Sequence, residues 1–151
     1  MGCVGFRWEY MKIYKIAQEE PSESEEISSE TFEWKDNRDE MFTFLTRNFD
    51  IDLAKRIIKT NPRNITNVGL SGLKSWVPRS KTSVGLIKID WDRIDAEEGN
   101  YDLSFPVIIA SIEGGHFPID GWHRIAKAIE QGVESLPSVM LTPEETEQIL
   151  L

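Results

Sequence analysis

Cysteine is nearly missing from this chain. Cys3 is the only one in 151 residues, so an internal disulfide and a cysteine-built metal cluster are both excluded. A reducing, cytoplasmic setting is the expectation. Histidine is scarce too. His116 and His123 are the only two, which by themselves make a weak case for a metal site. Long apolar runs are absent: no stretch approaches the roughly 20 apolar residues of a membrane span, and no membrane partner is expected. Met1-Gly2-Cys3-Val4-Gly5-Phe6 leads into no apolar core of the length a secretory leader needs. Phe6 stands where a myristoylation signal has Ser or Thr, and Met11 offers an alternative start.

Basic charge is in deficit. Seventeen Lys and Arg face 26 Asp and Glu, a net charge of −9. That balance argues against a protein that coats nucleic acid nonspecifically. The distribution is uneven: residues 1–40 carry −6, residues 41–89 carry +7 and residues 90–151 carry −10. A basic middle between acidic ends either meets phosphates, those of nucleic acid included, or docks on its own flanks. With 40% hydrophobic and 28% charged residues, an ordinary globular core is available. The length suits one domain, or one small domain with an extension.

Four segments are expected: an N-terminal arm at 1–17, an acidic flexible linker at 18–35, a helical and basic loop segment at 36–83, and an α+β domain at 84–151. Phe6 to Ile16 is aromatic and β-branched enough for a short strand or an arm. Gln18 to Thr31 is acidic, Ser-rich and poor in apolar residues, and cannot bury enough surface to offset its ordering entropy. Asp39 to Arg47 reads as a short helix with Met41, Phe42, Phe44 and Leu45 as its stripe. Asp50 or Asp52 then caps a second helix running to about Lys59, with Leu53, Ala54, Ile57 and Ile58 at helical spacing. Lys55, Arg56 and Lys59 occupy its other face. The pair is either a helical hairpin covering a sheet or a helix-turn-helix. Asn61 to Ser83 reads as loop, with Gly69, Gly72 and Pro78 as punctuation and Trp76-Val77 plugging into the body. Lys74, Arg79 and Lys81 face phosphate or solvent.

From Val84 the pattern becomes that of a small mixed sheet with helices. Val84 to Ile89 and Pro106 to Ile112 are strand-length apolar runs. Glu113-Gly114-Gly115-His116 makes a hairpin turn, and His116 to Ile119 returns as the partner strand. A helix opens at Gly121 and stops at Gly132. Leu136 to Leu141 is a further strand. Thr142-Pro143-Glu144-Glu145 starts a terminal helix, with Thr as N-cap and Pro at the first position.

The junction Ile119-Asp120-Gly121-Trp122-His123-Arg124 carries the chemistry. A strand passes into a helix with almost no loop. The first N–H groups of that helix have no internal acceptor, and the helix dipole adds positive potential there. The two together attract an anion. Gly121 lets the backbone turn sharply and lets a ligand approach closely. Trp122, Ile125, Ala126 and Ile129 form one apolar face, leaving His123 and Lys127 on a polar side with Arg124 beside Lys127. Arg124 and Lys127 oppose the dipole by roughly 0.3–1 kcal/mol each, which is what an anion site requires. Gly121, His123, Arg124 and Lys127 are the candidate phosphate-binding residues, and Asp120 and His123 the candidate catalytic ones. Asp120 is either a base or metal anchor beside the phosphates, or a helix cap. Arg124 alternatively pairs with Glu113 or Asp120 in a structural role. Asp90, Asp92, Glu97 and Glu98 include a possible general base or Mg²⁺ ligand, or are surface charges.

The stretch from Pro106 through Asp120-Gly121-Trp122-His123-Arg124 to Gly132, followed by Leu136-Pro137-Ser138-Val139-Met140-Leu141, resembles the core of the ParB/sulfiredoxin superfamily. Ile87 to Ile94 resembles its opening strand. The likeness covers about 65 residues. It implies a nucleotide triphosphate or diphosphate with Mg²⁺ as cofactor, held at this turn by Gly121, His123 and Arg124. Trp122 stands where sulfiredoxins carry their reactive cysteine, so sulfinate reduction is excluded. The family's helix between its first two strands is shortened to about Ala96–Asp102, and no second ParB box follows. The expected function is a nucleotide- or phosphate-binding protein, a small nucleotide hydrolase or phosphotransferase. The alternative is a non-catalytic DNA-binding or regulatory module of the same fold.

Overall fold

The structure is a computed structural model that describes residues 27–78, 87–96, 102–113 and 115–151. The expectations for the N-terminal arm, for 18–26, for Arg79, Lys81 and 84–86, and for Glu97 and Glu98 lie outside the described residues. The described chain is α+β. Strands β1 (Met41–Phe44) and β2 (Arg47–Asp50) form a separate antiparallel hairpin. A four-stranded mixed sheet has the order β3 (Thr66–Gly69), β6 (Ser135–Met140), β4 (Val107–Ile112), β5 (Gly115–Asp120). β4 and β6 are parallel; the outer pairs are antiparallel.

β4 is a central strand, and Val107, Ile108, Ile109 and Ala110 are all buried. A near-continuous apolar run is what a strand covered on both faces needs. Helix α1 (Ile51–Thr60) packs against helix α4 (Pro143–Ile149), and α4 packs against β4. Helix α3 (Trp122–Glu130) packs against β6. Asp50 caps α1, its Oδ1 accepting from the Leu53 N–H at 3.0 Å. Ile51, Ala54, Ile57 and Ile58 of α1 are buried, each isoleucine stabilising the fold by about 1.5–3 kcal/mol. At the end of α3, Gly132 has φ +75°. The Val133 N–H donates to the Ala128 carbonyl at 2.9 Å, closing the helix with the 6→1 bond that such a glycine permits.

The expected helix over Asp39–Arg47 is instead the β1–β2 hairpin. Met41, Phe44 and Leu45 satisfy helical spacing, yet Phe42 and Phe44 also alternate, and aromatic and Thr-rich sequence favours a pleated surface. With the first helix gone, both the helix-turn-helix and the helical hairpin fall. Residues 27–35, expected within a flexible linker, are packed. Ser28 bridges Asn64, and Trp34 is only 3% exposed. The Trp34 ring lies 4.9 Å from that of Phe105, and its Nε1–H donates to the Ser29 carbonyl. Two aromatics, Phe32 and Trp34, bury enough surface to anchor an otherwise acidic stretch. The stretch expected as loop from Asn61 contains β3 and a 3-10 turn at Ser71–Trp76, with Trp76 and Val77 buried as expected. Ile87 to Asp90 is not a strand, and Trp91–Ala96 is a helix, α2. Trp91 and Ile94 lie one turn apart, Ile94 is fully buried, and Asp90 and Asp92 suit a helix start.

The basic middle segment docks largely on its acidic flanks. Lys55 pairs with Glu40 at 3.2 Å, Lys59 with Asp36 at 3.1 Å and Arg47 with Glu113 at 3.2 Å. Arg63 reaches farthest. Its guanidinium holds Glu145 with Nη2–Oε2 at 2.8 Å and also donates to the Met140 and Asn61 carbonyls. Glu145 in turn accepts from the Thr142 N–H in the capping box of α4. Arg63 thus ties the approach to β3 to the helix that covers β4.

Arg63 and the Thr142 cap hold the Glu145 carboxyl below its ordinary 4.5. A lowered folded value contributes stability that is present above 4.5 and lost as pH falls through the folded value. Glu145→Gln is expected to destabilise the protein by about 2 kcal/mol at neutral pH, since hydrogen bonds to charged groups are lost. Thermal unfolding at stepwise lower pH checks the sign: the gap between wild type and variant should close below pH 4.5.

Candidate functional site

β5 is an edge strand, and its pairing with β4 is irregular. Ile108 faces Asp120 whereas Ile109 faces Pro118, leaving Ile119 as the extra residue. Pro118 has no N–H to give to a ladder, so a proline is tolerated at such a bulge. The bulge ends the strand directly at Asp120-Gly121. Pro118 also accepts from the buried Trp122 indole N–H at 2.8 Å, which fixes the first residue of α3 on the strand it follows.

Gly121 is the N-cap of α3, with φ +99° and ψ 18°. A Cβ there would lie 2.5 Å from Val107 Cγ1 and 2.9 Å from Arg124 Nη2. Conformation and space both demand glycine. The first intrahelical bond runs from the Ile125 N–H to the Gly121 carbonyl at 2.9 Å. The Trp122, His123 and Arg124 N–H groups therefore have no intrahelical acceptor. No side chain caps the helix, so the role of Asp120 as a helix cap does not hold.

Asp120 is held by Arg124 instead. The Arg124 Nη2 lies 3.2 Å from Asp120 Oδ2, while Nη1 donates to the Phe105 and Pro106 carbonyls at 2.8 and 3.0 Å. The guanidinium carbon sits 5.4 Å from the centre of the Phe105 ring. Three of the five guanidinium N–H groups are thereby engaged. Arg124 thus has a structural ion pair, with Asp120; Glu113 pairs with Arg47. His123 Nε2 accepts from the Asp90 N–H at 3.2 Å. That bond needs a lone pair on Nε2, so the neutral ring carries its proton on Nδ1. Lys127 leaves the candidate set. It is 4% exposed, its Nζ lies 3.5 Å from Glu130 Oε1, and it does not line the cavity at this junction. The polar side expected for α3 is narrower than its sequence implies, because Lys127 and Ala128 are buried along with the apolar stripe.

The junction opens on a cavity of about 1000 Å³. Ile119 to Arg124 form one wall. The β1–β2 hairpin and its approach form another part of the lining, with Arg38, Glu40, Met41, Phe42, Thr43 and Leu45. Ile51 and Lys55 of α1, Ile87, Lys88 and Phe105 complete the lining. The hairpin is held there by aromatic packing: Phe44 and Phe42 lie 4.5 and 6.4 Å from the Phe117 ring on β5. Phe117 in turn meets Trp122 at 5.7 Å. Four cationic side chains, Arg38, Lys55, Lys88 and Arg124, line the space against two carboxylates, Glu40 and Asp120. Lys55 is paired with Glu40 and Arg124 with Asp120. Arg38 and Lys88 are exposed and have no ion-pair partner among the described residues. The lining is thus net positive in a chain of −9.

Gly121, His123, Arg124 and Asp120 are brought together as expected. Arg38, Glu40, Lys55, Lys88 and the hairpin were not expected there. Only the alternation Phe42–Phe44 could have pointed to the hairpin; nothing local marks Arg38 or Lys88. No group of three His, Cys, Asp or Glu residues that could hold a metal ion occurs among the described residues. No helix among them is long and apolar enough to cross a membrane. Comparisons with known protein families, curated proteins and solved structures give no match.

Gly121→Ala is expected to destabilise the protein by about 2–4 kcal/mol, the combined cost of a positive φ and of overpacking. Urea unfolding checks it. Combined with Val107→Ala the two costs should be less than additive, because the 2.5 Å contact is removed while the 2.9 Å contact with Arg124 and the backbone strain remain.

Proposed function

We propose that the cavity at the β5–α3 junction binds the phosphates of a nucleoside diphosphate or triphosphate. The observation that carries this reading is an uncapped helix start behind a glycine that admits no side chain, opening on a net-positive cavity. A helix start without a side-chain cap and the helix dipole favour an oxyanion there. Arg38 and Lys88 add positive charge to the same lining. Arg124 adds the two N–H groups that its structural bonds leave over. Asp120 serves first to orient that guanidinium. The order of β4, hairpin, β5, Gly121-Trp122-His123-Arg124, α3 and β6 supports membership of the ParB/sulfiredoxin superfamily.

Mg²⁺ fits as an ion carried on the phosphates, since Mg²⁺ keeps several waters and takes one or two protein carboxylates at most. Asp120 and Glu40 are the carboxylates lining the cavity. For turnover, the second oxygen of Asp120 is the group placed to orient a nucleophile beside the phosphates, while His123 holds the Asp90 backbone against the helix start. Binding is the primary reading; hydrolysis or phosphoryl transfer would follow from it. The nucleic-acid reading of the 41–89 segment has less support, because Lys55, Lys59, Arg47 and Arg63 are each paired with an acidic residue.

Thermal unfolding with pyrophosphate, nucleoside diphosphates and nucleoside triphosphates, each with Mg²⁺, tests the proposal. A ligand-dependent rise in Tm that fades with added salt is expected. Arg38→Ala/Lys88→Ala should fold normally and bind about tenfold more weakly or worse, each lost charge-assisted contact being substantial. No rise with any of these ligands overturns the reading.

A further inference from the structure

Leu45 does not suit its position. It stands in the β1–β2 turn with φ +56°, a conformation that turns normally give to Gly, Asn or Asp. A γ-branched side chain gains nothing there from the fold: Leu45 is 46% exposed, and Met41 at the other end of β1 is 59% exposed. Neither belongs to the core or to the partly buried residues packed on it. Both, however, line the cavity that faces the start of α3. Two of the five exposed large hydrophobics among the described residues thus sit on one short hairpin, turned to one space. Residues held in unfavourable backbone conformations against their own propensity concentrate where a ligand is handled.

The size of the cavity points the same way. About 1000 Å³ is the scale of a site for a whole organic ligand, and far exceeds what two phosphate groups fill. Its lining combines the cationic side chains with the apolar side chains of the hairpin.

We propose that Met41 and Leu45 are specificity-determining residues that receive the nucleobase of a nucleoside diphosphate, selecting organic over inorganic phosphates. This rests on the phosphate-binding reading. The base displaces water from two side chains that are otherwise exposed, and that burial supplies the preference. The turn keeps leucine, and not a better turn residue, because the side chain is used by the ligand.

Calorimetric titration of the whole chain with pyrophosphate and with ADP, GDP, CDP and UDP tests this, with Leu45→Asn and Met41→Ser as variants. Asparagine is at home at positive φ, so Leu45→Asn should leave Tm unchanged or raise it. The wild type should bind at least one nucleoside diphosphate about tenfold or more tightly than pyrophosphate. Leu45→Asn should erase most of that margin while pyrophosphate affinity stays the same; Met41→Ser should do so in part. A merely structural role for Leu45 would move both ligands together. Pyrophosphate binding without preference for any nucleotide overturns this inference and leaves the phosphate site standing. An unchanged nucleotide margin in both variants overturns it as well. Binding of neither ligand class removes the phosphate site and this inference together.

Discussion

The Arg124 guanidinium is the interaction on which the site depends. Within one side chain it joins the carbonyls of Phe105 and Pro106, at the entry to β4, to Asp120 at the end of β5. It does so from the first turn of α3, lying across the space where Gly121 lacks a Cβ. A lysine could not hold three separated acceptors, because its donors radiate from one point and do not form a planar fork. The same latch explains why a cation is tolerated at a helix start where the dipole opposes it: Asp120 and two carbonyls neutralise much of its charge. The helix start itself carries no side-chain cap.

A second constraint places the hairpin side of the cavity. Among the described residues the β1–β2 hairpin belongs to no larger sheet, and a two-stranded hairpin alone is marginal in water. It is held by rings: Phe44 and Phe42 on Phe117, with Trp76 and Trp122 beside them. The chain end adds a backbone bond, the Leu151 N–H donating to the Asn48 carbonyl at 2.9 Å. Aromatic contacts supply area and a preferred geometry together, so the hairpin sits at a defined distance from the helix start. The hairpin and the helix start both line the cavity. Its positive lining persists because Glu40 and Asp120 answer only two of the four cations.

Elements that announce themselves through local chemistry were legible in the chain. The Asp50 cap of α1, the Gly132 stop of α3, the Thr142-Pro143 start of α4 and the β4–β5 hairpin all follow from residues within a few positions of each other. So did the Gly121 turn and its nearness to Asp120, His123 and Arg124. The β1–β2 hairpin was not legible, because Met41, Phe42, Phe44 and Leu45 fit a helical stripe as well as a strand. Packing on Phe117 decides between them. Ile27 to Lys35 looked like solvated chain by composition, yet two aromatic side chains anchor it on Phe105.

What the sequence determined by itself is the strand-to-helix junction: a glycine, its flanking donors and the helix that follows lie within one short stretch, and short-range sterics and hydrogen bonding dictate them. What only the tertiary structure decided is which charges share the site. Arg38 and Lys88 are separated by some fifty residues, and Lys127 lies one turn from Arg124. Folding brings the distant pair to the cavity and buries the near neighbour, because burial depends on which faces the sheet and hairpin cover, and no local pattern encodes that.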